Sequence, residues 1–361
     1  MMPKVVPEFI LQQYVAGERS GEFGAVGLFV DVSGFTAVTN ILMQHGNETA
    51  ETLAIIMQSI FEPLIAAVYE QGGFITGFAG DAFTALFAGE VEEMGARALA
   101  AGVKIQTVLN EQGLRQTDYG SFAFAVKQGL AVGDVQWGIL EPDDEGLPAS
   151  YYFSGEAVDG CAEAEHQAKP GEIILTRAVA DLLVDVIDYE PIGERFCRWE
   201  RVVGVLPEVM PIESAEPAEM WLKFVDEGVA AKVTDGEFRQ VVSLFLNLKD
   251  IHTTEQLTIF MQSVFRLQKR YGGYLNHIDF GDKGCNLLLF WGMPSSFEND
   301  LERALNFVLA IPTVTPGTFR AGVTYQRMYA GLIGSVQRQV YSCYGQGVNL
   351  AARMMTAAPW G

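Results

Sequence analysis

The chain has 361 residues, 49% of them hydrophobic, and a net charge of −21 from 45 acidic and 24 basic residues. That is enough chain for two domains with substantial cores, and a surface this acidic repels nucleic acid and anionic lipid, so neither is expected as a partner. A polyanionic substrate fits only with metal ions and a few focused Lys or Arg side chains. Cys161, Cys197, Cys285 and Cys343 form no CxxC and the four histidines form no ligand spacing, so no zinc pattern is present and a reducing, cytoplasmic setting is expected. Residues 1–24 lack a charged segment followed by a long apolar one, so no signal peptide is read, and no apolar run is long enough to span a bilayer.

In chain order, an apolar strand (25–32) leads to an amphipathic helix (48–71). Its spaced apolar residues, Leu53, Ile56, Met57, Ile60, Leu64 and Val68, mark one face packed on a sheet. Two strands follow around a tight turn (74–78 and 83–88), then a helix (91–113), a strand pair (121–139), a helix after Gly155 and the strand "GEIILT" (171–176). A Pro- and Glu-rich stretch, "LPEVMPIESAEPAEM", sits within 205–236, and then the pattern returns. A strand (240–248) precedes a helix (254–271), two strands (274–280 and 286–291), a helix (298–311), a strand pair (318–334) and a helix after Gly345.

The two runs are copies. "LFVDV" (28–32) resembles "LFLNL" (244–248), "IIMQSIF" (55–61) resembles "IFMQSVF" (259–265), and "GEAVDGCAEAE" (155–165) resembles "GQGVNLAARMM" (345–355). The expected organisation is an N-terminal extension (1–24), a first domain (25–204), a linker (205–236) and a second domain (237–361). The order β-α-β-β-α-β is that of a ferredoxin-like α/β sandwich.

The chemistry begins with "GLFVDVSGFT", where Asp31 ends an apolar strand, and "GFAGDAFTALF", where Asp81 sits in the turn of the next hairpin. A lone acid in either place is most often a cap or a turn residue. In a βαββ unit the strand end and the hairpin turn lie side by side, so the two carboxylates converge and suit magnesium with its phosphate ligands. "SGFT" opens a helical segment whose free N–H groups can take phosphate oxygens. The second copy has Asn247 and "FGDKGCN" instead, with Lys283, Asn349 and Arg353, the last two four residues apart on one helix face. One copy carries acids and the other cations, as expected of a single composite site.

With these motifs in place the sequence resembles the class III nucleotidyl cyclases, and most of all the soluble, bicarbonate-responsive adenylyl cyclases with tandem catalytic domains. The resemblance runs from about residue 25 to 361. It implies two ferredoxin-like cyclase domains forming a monomeric, intramolecular pseudo-heterodimer with no membrane span. It implies an adenylate cyclase, a phosphorus–oxygen lyase that converts ATP to 3′,5′-cyclic AMP and pyrophosphate with two divalent metal ions, Mg2+ or Mn2+. Asp31 and Asp81 would hold the metals with the Val32 carbonyl, Gly34, Phe35 and Thr36 would offer amides to the triphosphate, and Lys127 would contact the terminal phosphates. Lys283 and Ser342 would read the purine with Cys343 beside them, Asn349 would orient the ribose, and Arg353 would meet charge developing on the α-phosphate. Lys283 with Ser342 favours ATP over GTP.

Some residues depart from the family pattern. Thr or Asp is more usual at Ser342, and Lys283 lies close to its following strand. A second phosphate-contacting lysine would fall beyond Gly361, and the second copy ends before a counterpart of "GEIILT". The chain therefore reads as the catalytic part of a longer protein with further regulatory domains. In the bicarbonate-responsive relatives the other, pseudo-equivalent cleft holds the anion with a Lys and an Arg. Here those positions are Gly77 and Ala162, with Glu163 and Glu165 nearby, so bicarbonate is expected not to activate unless a shifted alignment brings in Lys169. The competing reading is a catalytically weak or inactive nucleotide-binding regulatory module of the same fold. A diguanylate cyclase or polymerase palm is disfavoured by the absence of a "GGDEF"-like turn.

Overall fold

A computed structural model describes residues 4–143, 146–210, 219–231, 236–249, 251, 253–281, 284–314 and 318–361. A short helix, α1 (Glu8–Ala16), precedes β1 (Ser20–Ser33). Alternating buried residues along β1, among them Val26, Leu28 and Val30, put one face on the core. The strand starts at Ser20, before the expected domain boundary at 25, because β1 pairs with its neighbour from Ser20 onward. Helices α2 (Phe35–Gln44) and α3 (Ala50–Glu70) follow, then the hairpin β2 (Phe74–Ala79) and β3 (Ala82–Ala88), α4 (Val91–Gln112) and the small hairpin β4 (Leu114–Thr117) and β5 (Gly120–Ala123). The half closes with β6 (Ala125–Leu140), β7 (Ser150–Ser154), α5 (Glu156–Glu165), β8 (Ile173–Thr176), α6 (Arg177–Leu182), β9 (Ile187–Ile192) and β10 (Phe196–Val202). Its sheet runs β2-β3-β1-β6-β8-β10-β9, with β7 on β6.

The second half opens with the short α7 (Glu227–Ala231) and repeats the core of the first. Strand β11 (Glu237–Leu248) leads to α8 (Thr254–Tyr271), started by a capping box between Thr253 and Gln256. The hairpin β12 (Tyr274–Asp279) and β13 (Cys285–Trp291), α9 (Asp300–Val314), β14 (Phe319–Ser335), β15 (Arg338–Tyr344) and α10 (Gln346–Ala357) complete it. Its sheet order, β12-β13-β11-β14-β15, matches β2-β3-β1-β6-β7 of the first half.

One expectation needs correction. The segments 121–139 and 318–334 are not strand pairs; each is dominated by one long strand, β6 or β14, and the hairpin partners come later as β7 and β15. Two glycines within these strands, Gly129 and Gly322, are close-packing points. A Cβ on Gly129 would stand 2.1 Å from the Cys161 carbonyl of α5, and one on Gly322 would stand 2.0 Å from the Ala351 carbonyl of α10. These bare positions seat α5 and α10 directly on their sheets. Helix α3, 21 residues long with an 18-residue stretch of mean hydropathy 1.6, also meets the length and composition of a membrane span. Its apolar face is core, with Leu53, Ile60, Phe61 and Leu64 fully buried.

The halves are stapled together by Arg338, which is 1% exposed. Its guanidinium donates to the carbonyls of Ile75 (3.3 Å) and Thr76 (3.4 Å) on β2, to Val5 of the N-terminal segment (2.6 Å), and to the Tyr151 hydroxyl (2.7 Å). No carboxylate is within ion-pair distance of it among the described residues, so carbonyl dipoles replace its hydration.

Candidate active site

Asp31 lies near the end of β1, opposite Ala82 on β3 and Lys127 on β6. The β2–β3 turn passes through Gly80, at φ 66°, and delivers Asp81 beside it. The Val32 N–H donates to the Asp81 carbonyl at 3.1 Å, which ties turn to strand end. Burial pushes the Asp81 carboxyl up to about 6, and the adjacent Asp31 carboxylate adds to the shift. Two acids compressed in this way are a hard-oxygen donor set that a divalent cation relieves, so the residues fit a metal of the magnesium type. Among the described residues no group of three or more His, Cys, Asp or Glu side chains forms a metal cluster.

Lys127 supplies the nearest cation. Its ammonium is 3.0 Å from an Asp31 oxygen and also binds Glu165, whose side chain is 4% exposed. Burial alone would lower the Lys127 pKa, but the two carboxylates outweigh it and raise it. Lys127 therefore stays charged and is held on the metal-site acid. Glu165, the last residue of α5, is a site neighbour that the motifs did not reveal. Glu163 pairs with Arg195, so neither acid is free to stand in the other cleft.

The second half reaches the same place. Thr36 on α2, Gly80 and Asp81 line one cavity together with Tyr344, Gly345 and Asn349. The Tyr344 hydroxyl donates to the Gly80 carbonyl, and burial, then Asp81 and Asp31, push its pKa up. Phe35 is fully buried, stacked on Phe61 at 5.3 Å and 5.7 Å from Tyr344. Gly34 takes φ 117° in front of α2, because a Cβ there would stand 2.6 Å from the Ala123 carbonyl. Cys343 lines the same cavity with its thiol buried. Arg353, one turn beyond Asn349, is exposed and makes no ion pair among the described residues.

Ser342 is buried, and its hydroxyl meets Asn276 at 3.1 Å. Lys283 lies outside the described residues. Its described neighbour Gly281 points toward Ala162 of α5, where an added Cβ would be 3.9 Å from the Ala162 Cβ. Thus the residue set against Ser342 is Asn276, which belongs to no motif. Glu165 ends one quoted motif and Tyr344 directly precedes another, and their chemistry was the available signal.

The pseudo-equivalent cleft mixes apolar side chains with Asp279 and has no Lys or Arg among its described lining residues. Ala162 and His166 of the first half line it with Phe280 and Asn286 of the second. Gly77 borders an adjoining cavity with Asn276 and His277.

The fold, two βαββ-based halves on one chain, is that of the class III cyclase domains. A class III adenylyl cyclase-like ATP-binding protein from Pseudomonas aeruginosa superposes with a TM-score of 0.64 at 14% identity, covering 99% of this chain and 91% of that one. In sequence the chain is homologous to adenylate cyclase type 10. It is 27% identical to the Homo sapiens protein over 412 residues, 98% of this chain and 25% of that protein. It is 27% identical to the Oryctolagus cuniculus protein over 400 residues, 93% of this chain and 24% of that protein. The chain thus spans about a quarter of the length of these relatives. No protein-family model matches it.

Proposed function

We propose that the chain is an adenylate cyclase that converts ATP to 3′,5′-cyclic AMP and pyrophosphate at one site between its halves. The observation that carries this reading is that Asp81 of the first half and Asn349 of the second line a single cavity. Asp31 and Asp81 hold two divalent metals, Mg2+ or Mn2+, with the Val32 carbonyl. When bound, the metals supply the charge that acidifies the ribose 3′-hydroxyl and neutralises pyrophosphate.

The remaining roles fall to side chains and amides of this chain. The amides of Gly34, Phe35 and Thr36 sit at the start of α2, where N–H groups lack helical partners and favour phosphate. Asn349 orients the ribose so that its 3′-oxygen faces the α-phosphorus. Arg353 reaches the α-phosphate and stabilises the charge that develops as the 3′-O–P bond forms and the bond to the β-phosphate oxygen breaks. The 3′-hydroxyl proton leaves to solvent. Lys127 is held by Asp31 and Glu165; it exchanges one of these carboxylates for the terminal phosphates when nucleotide is bound. Ser342 accepts from the adenine amine, with Cys343 beside it, and Lys283 donates to adenine N1.

Incubation of the purified chain with ATP or GTP and Mg2+ or Mn2+, followed by chromatography, tests the reading. Cyclic AMP is the expected product. Nucleotide binding with no cyclic product at all would support the second reading, a regulatory module, which is favoured by the Asp31–Lys127 ion pair at 3.0 Å and by the fold shared with a cyclase-like ATP-binding protein.

A further inference from the structure

Asn276 sits at a β-bulge. The pairing of β12 with β13 shifts register between Leu275 and His277, and an unpaired residue at such a shift has its side chain re-aimed. Its amide nitrogen donates to the Tyr341 carbonyl at 2.8 Å. A carbonyl only accepts, so this contact fixes which end of the amide is nitrogen. The other end, Oδ1, is 3.1 Å from Ser342 Oγ and 2.9 Å from His277 Nδ1. An amide oxygen also only accepts, so both neighbours must donate to it. His277 is half-buried, and desolvation lowers its pKa to about 4, so it meets Asn276 as a neutral ring with the proton on Nδ1. Ser342 gives its one hydroxyl proton to Asn276. Among the described residues its side chain has no other hydrogen bond. Its oxygen then has only lone pairs to offer an incoming group.

Asn276 also faces the first half. It shares a cavity wall with His277, opposite Gly77, Phe78 and Ala79 of β2, the strand that runs into Asp81. Thr76 occupies the matching bulge of β2, but its hydroxyl donates to the Thr84 carbonyl at 3.1 Å and orients nothing across the cleft. Only the second-half bulge carries a side chain that sets a neighbour's proton.

We propose that Asn276 is the positioning residue for purine selection: by holding the Ser342 proton it presents Ser342 as a pure acceptor, which takes the 6-amino group of adenine and repels the 6-oxo group of guanine. This rests on the assignment of Ser342 to base recognition made above. Without Asn276 the hydroxyl can rotate and donate, and it then serves either purine. Matched polar contacts of this kind discriminate strongly because the wrong base leaves buried groups unpaired.

The test measures binding rather than turnover. Displacement of a fluorescent N-methylanthraniloyl-ATP by ATP and by GTP, with Ca2+ present, gives an affinity ratio for the full chain. The variants are Asn276→Ala, Asn276→Thr, Ser342→Ala and the double Asn276→Ala/Ser342→Ala. Threonine keeps strand propensity at the bulge should alanine fail to fold. Both Asn276 variants are expected to narrow the ATP-to-GTP ratio by roughly tenfold or more. Ser342→Ala should narrow it equally and the double variant no further, the non-additivity of residues acting through one contact. An unchanged ratio in the Asn276 variants, or additive losses in the double, overturns the inference while leaving the adenylate reading intact. A wild-type chain without preference for ATP overturns that reading first.

Discussion

The two halves present the same pair of facing positions with different chemistry. In the first, Asp31 faces Lys127 across β1 and β6, and Lys127 continues to Glu165 at the end of α5. In the second, Asn247 faces Arg320 across β11 and β14, and the Arg320 Nε donates to the Asn247 oxygen at 2.9 Å. Arg320 ends on the Thr356 carbonyl and the Trp360 ring, with no acid in reach of these contacts. A neutral amide in place of a carboxylate turns a cation-binding corner into a satisfied hydrogen-bond network. Asn247 is fully buried and also bonds the Cys285 carbonyl and Asn286. The fold tolerates either version, so the acids of the first half are not there to hold the sheet together.

That comparison can be broken most forcefully by copying the second half into the first. Asp31→Asn removes a charged metal ligand and leaves Lys127 on Glu165. Cyclic AMP formation should fall by roughly 10³-fold, on the scale of losing a preorganised charge at a reacting phosphate, while far-UV circular dichroism and melting temperature stay near wild type. A rate close to wild type would show that Asp31 is only a strand-end acid.

A second contrast lies at the bulges, where Gly77 of β2 matches His277 of β12 and only one of them titrates. Burial holds the folded His277 pKa near 4, below the usual 6.5. The unfolded chain binds the proton more readily, so stability is present above pH 6.5 and is lost as pH falls toward 4. The loss is about 3 kcal/mol at most for such a shift. Denaturant unfolding across that range should show a shallower acid decline in His277→Gln than in wild type. Parallel declines would mean that His277 is protonated without cost.

The smallest effect is expected at the pseudo-equivalent cleft. Among the described residues it carries no Lys or Arg, and Asp279 lines it beside Ala162, Phe280 and Asn286, so an anion meets an acid there and no guanidinium or ammonium. Sodium bicarbonate against sodium chloride, at matched pH and ionic strength, should leave the cyclase rate unchanged. A saturable rise would reveal a cation reaching this cleft and would sharpen the difference between the two clefts.

Much of the fold was legible in the sequence because apolar periodicity is a local signal. The run through β1, α3, β2 and β3 and its repeat are examples, and so is the approach of Asp31 to Asp81, which topology alone implies. The lengths of β6 and β14 were not legible, since the segments 121–139 and 318–334 read as strand pairs, and only α5 and α10 packed against Gly129 and Gly322 show why each strand runs on. Asn276 was hidden for a different reason. Its role depends on pairing with Ser342, 66 positions away, and on a bulge that leaves no compositional mark. Glu165 looked like one acid among several on a helix, because nothing local says that it points back to Lys127. Periodicity announces which residues are inside, but it does not announce which polar pairs meet.

Arg338 and Tyr344 have a mechanical consequence. Both lie on β15, and both grip carbonyls along β2, at Ile75 and Thr76 for the one and at Gly80 for the other. The two strands are therefore coupled at both ends, like the rails of a ladder. Sliding or splaying them would strand a fully dehydrated guanidinium, a cost far above that of moving a surface helix. Room for a nucleotide has to come from the opposite wall, through displacement of α2, while β2 and β15 travel as one stiff member and keep Asp81 in step with Tyr344.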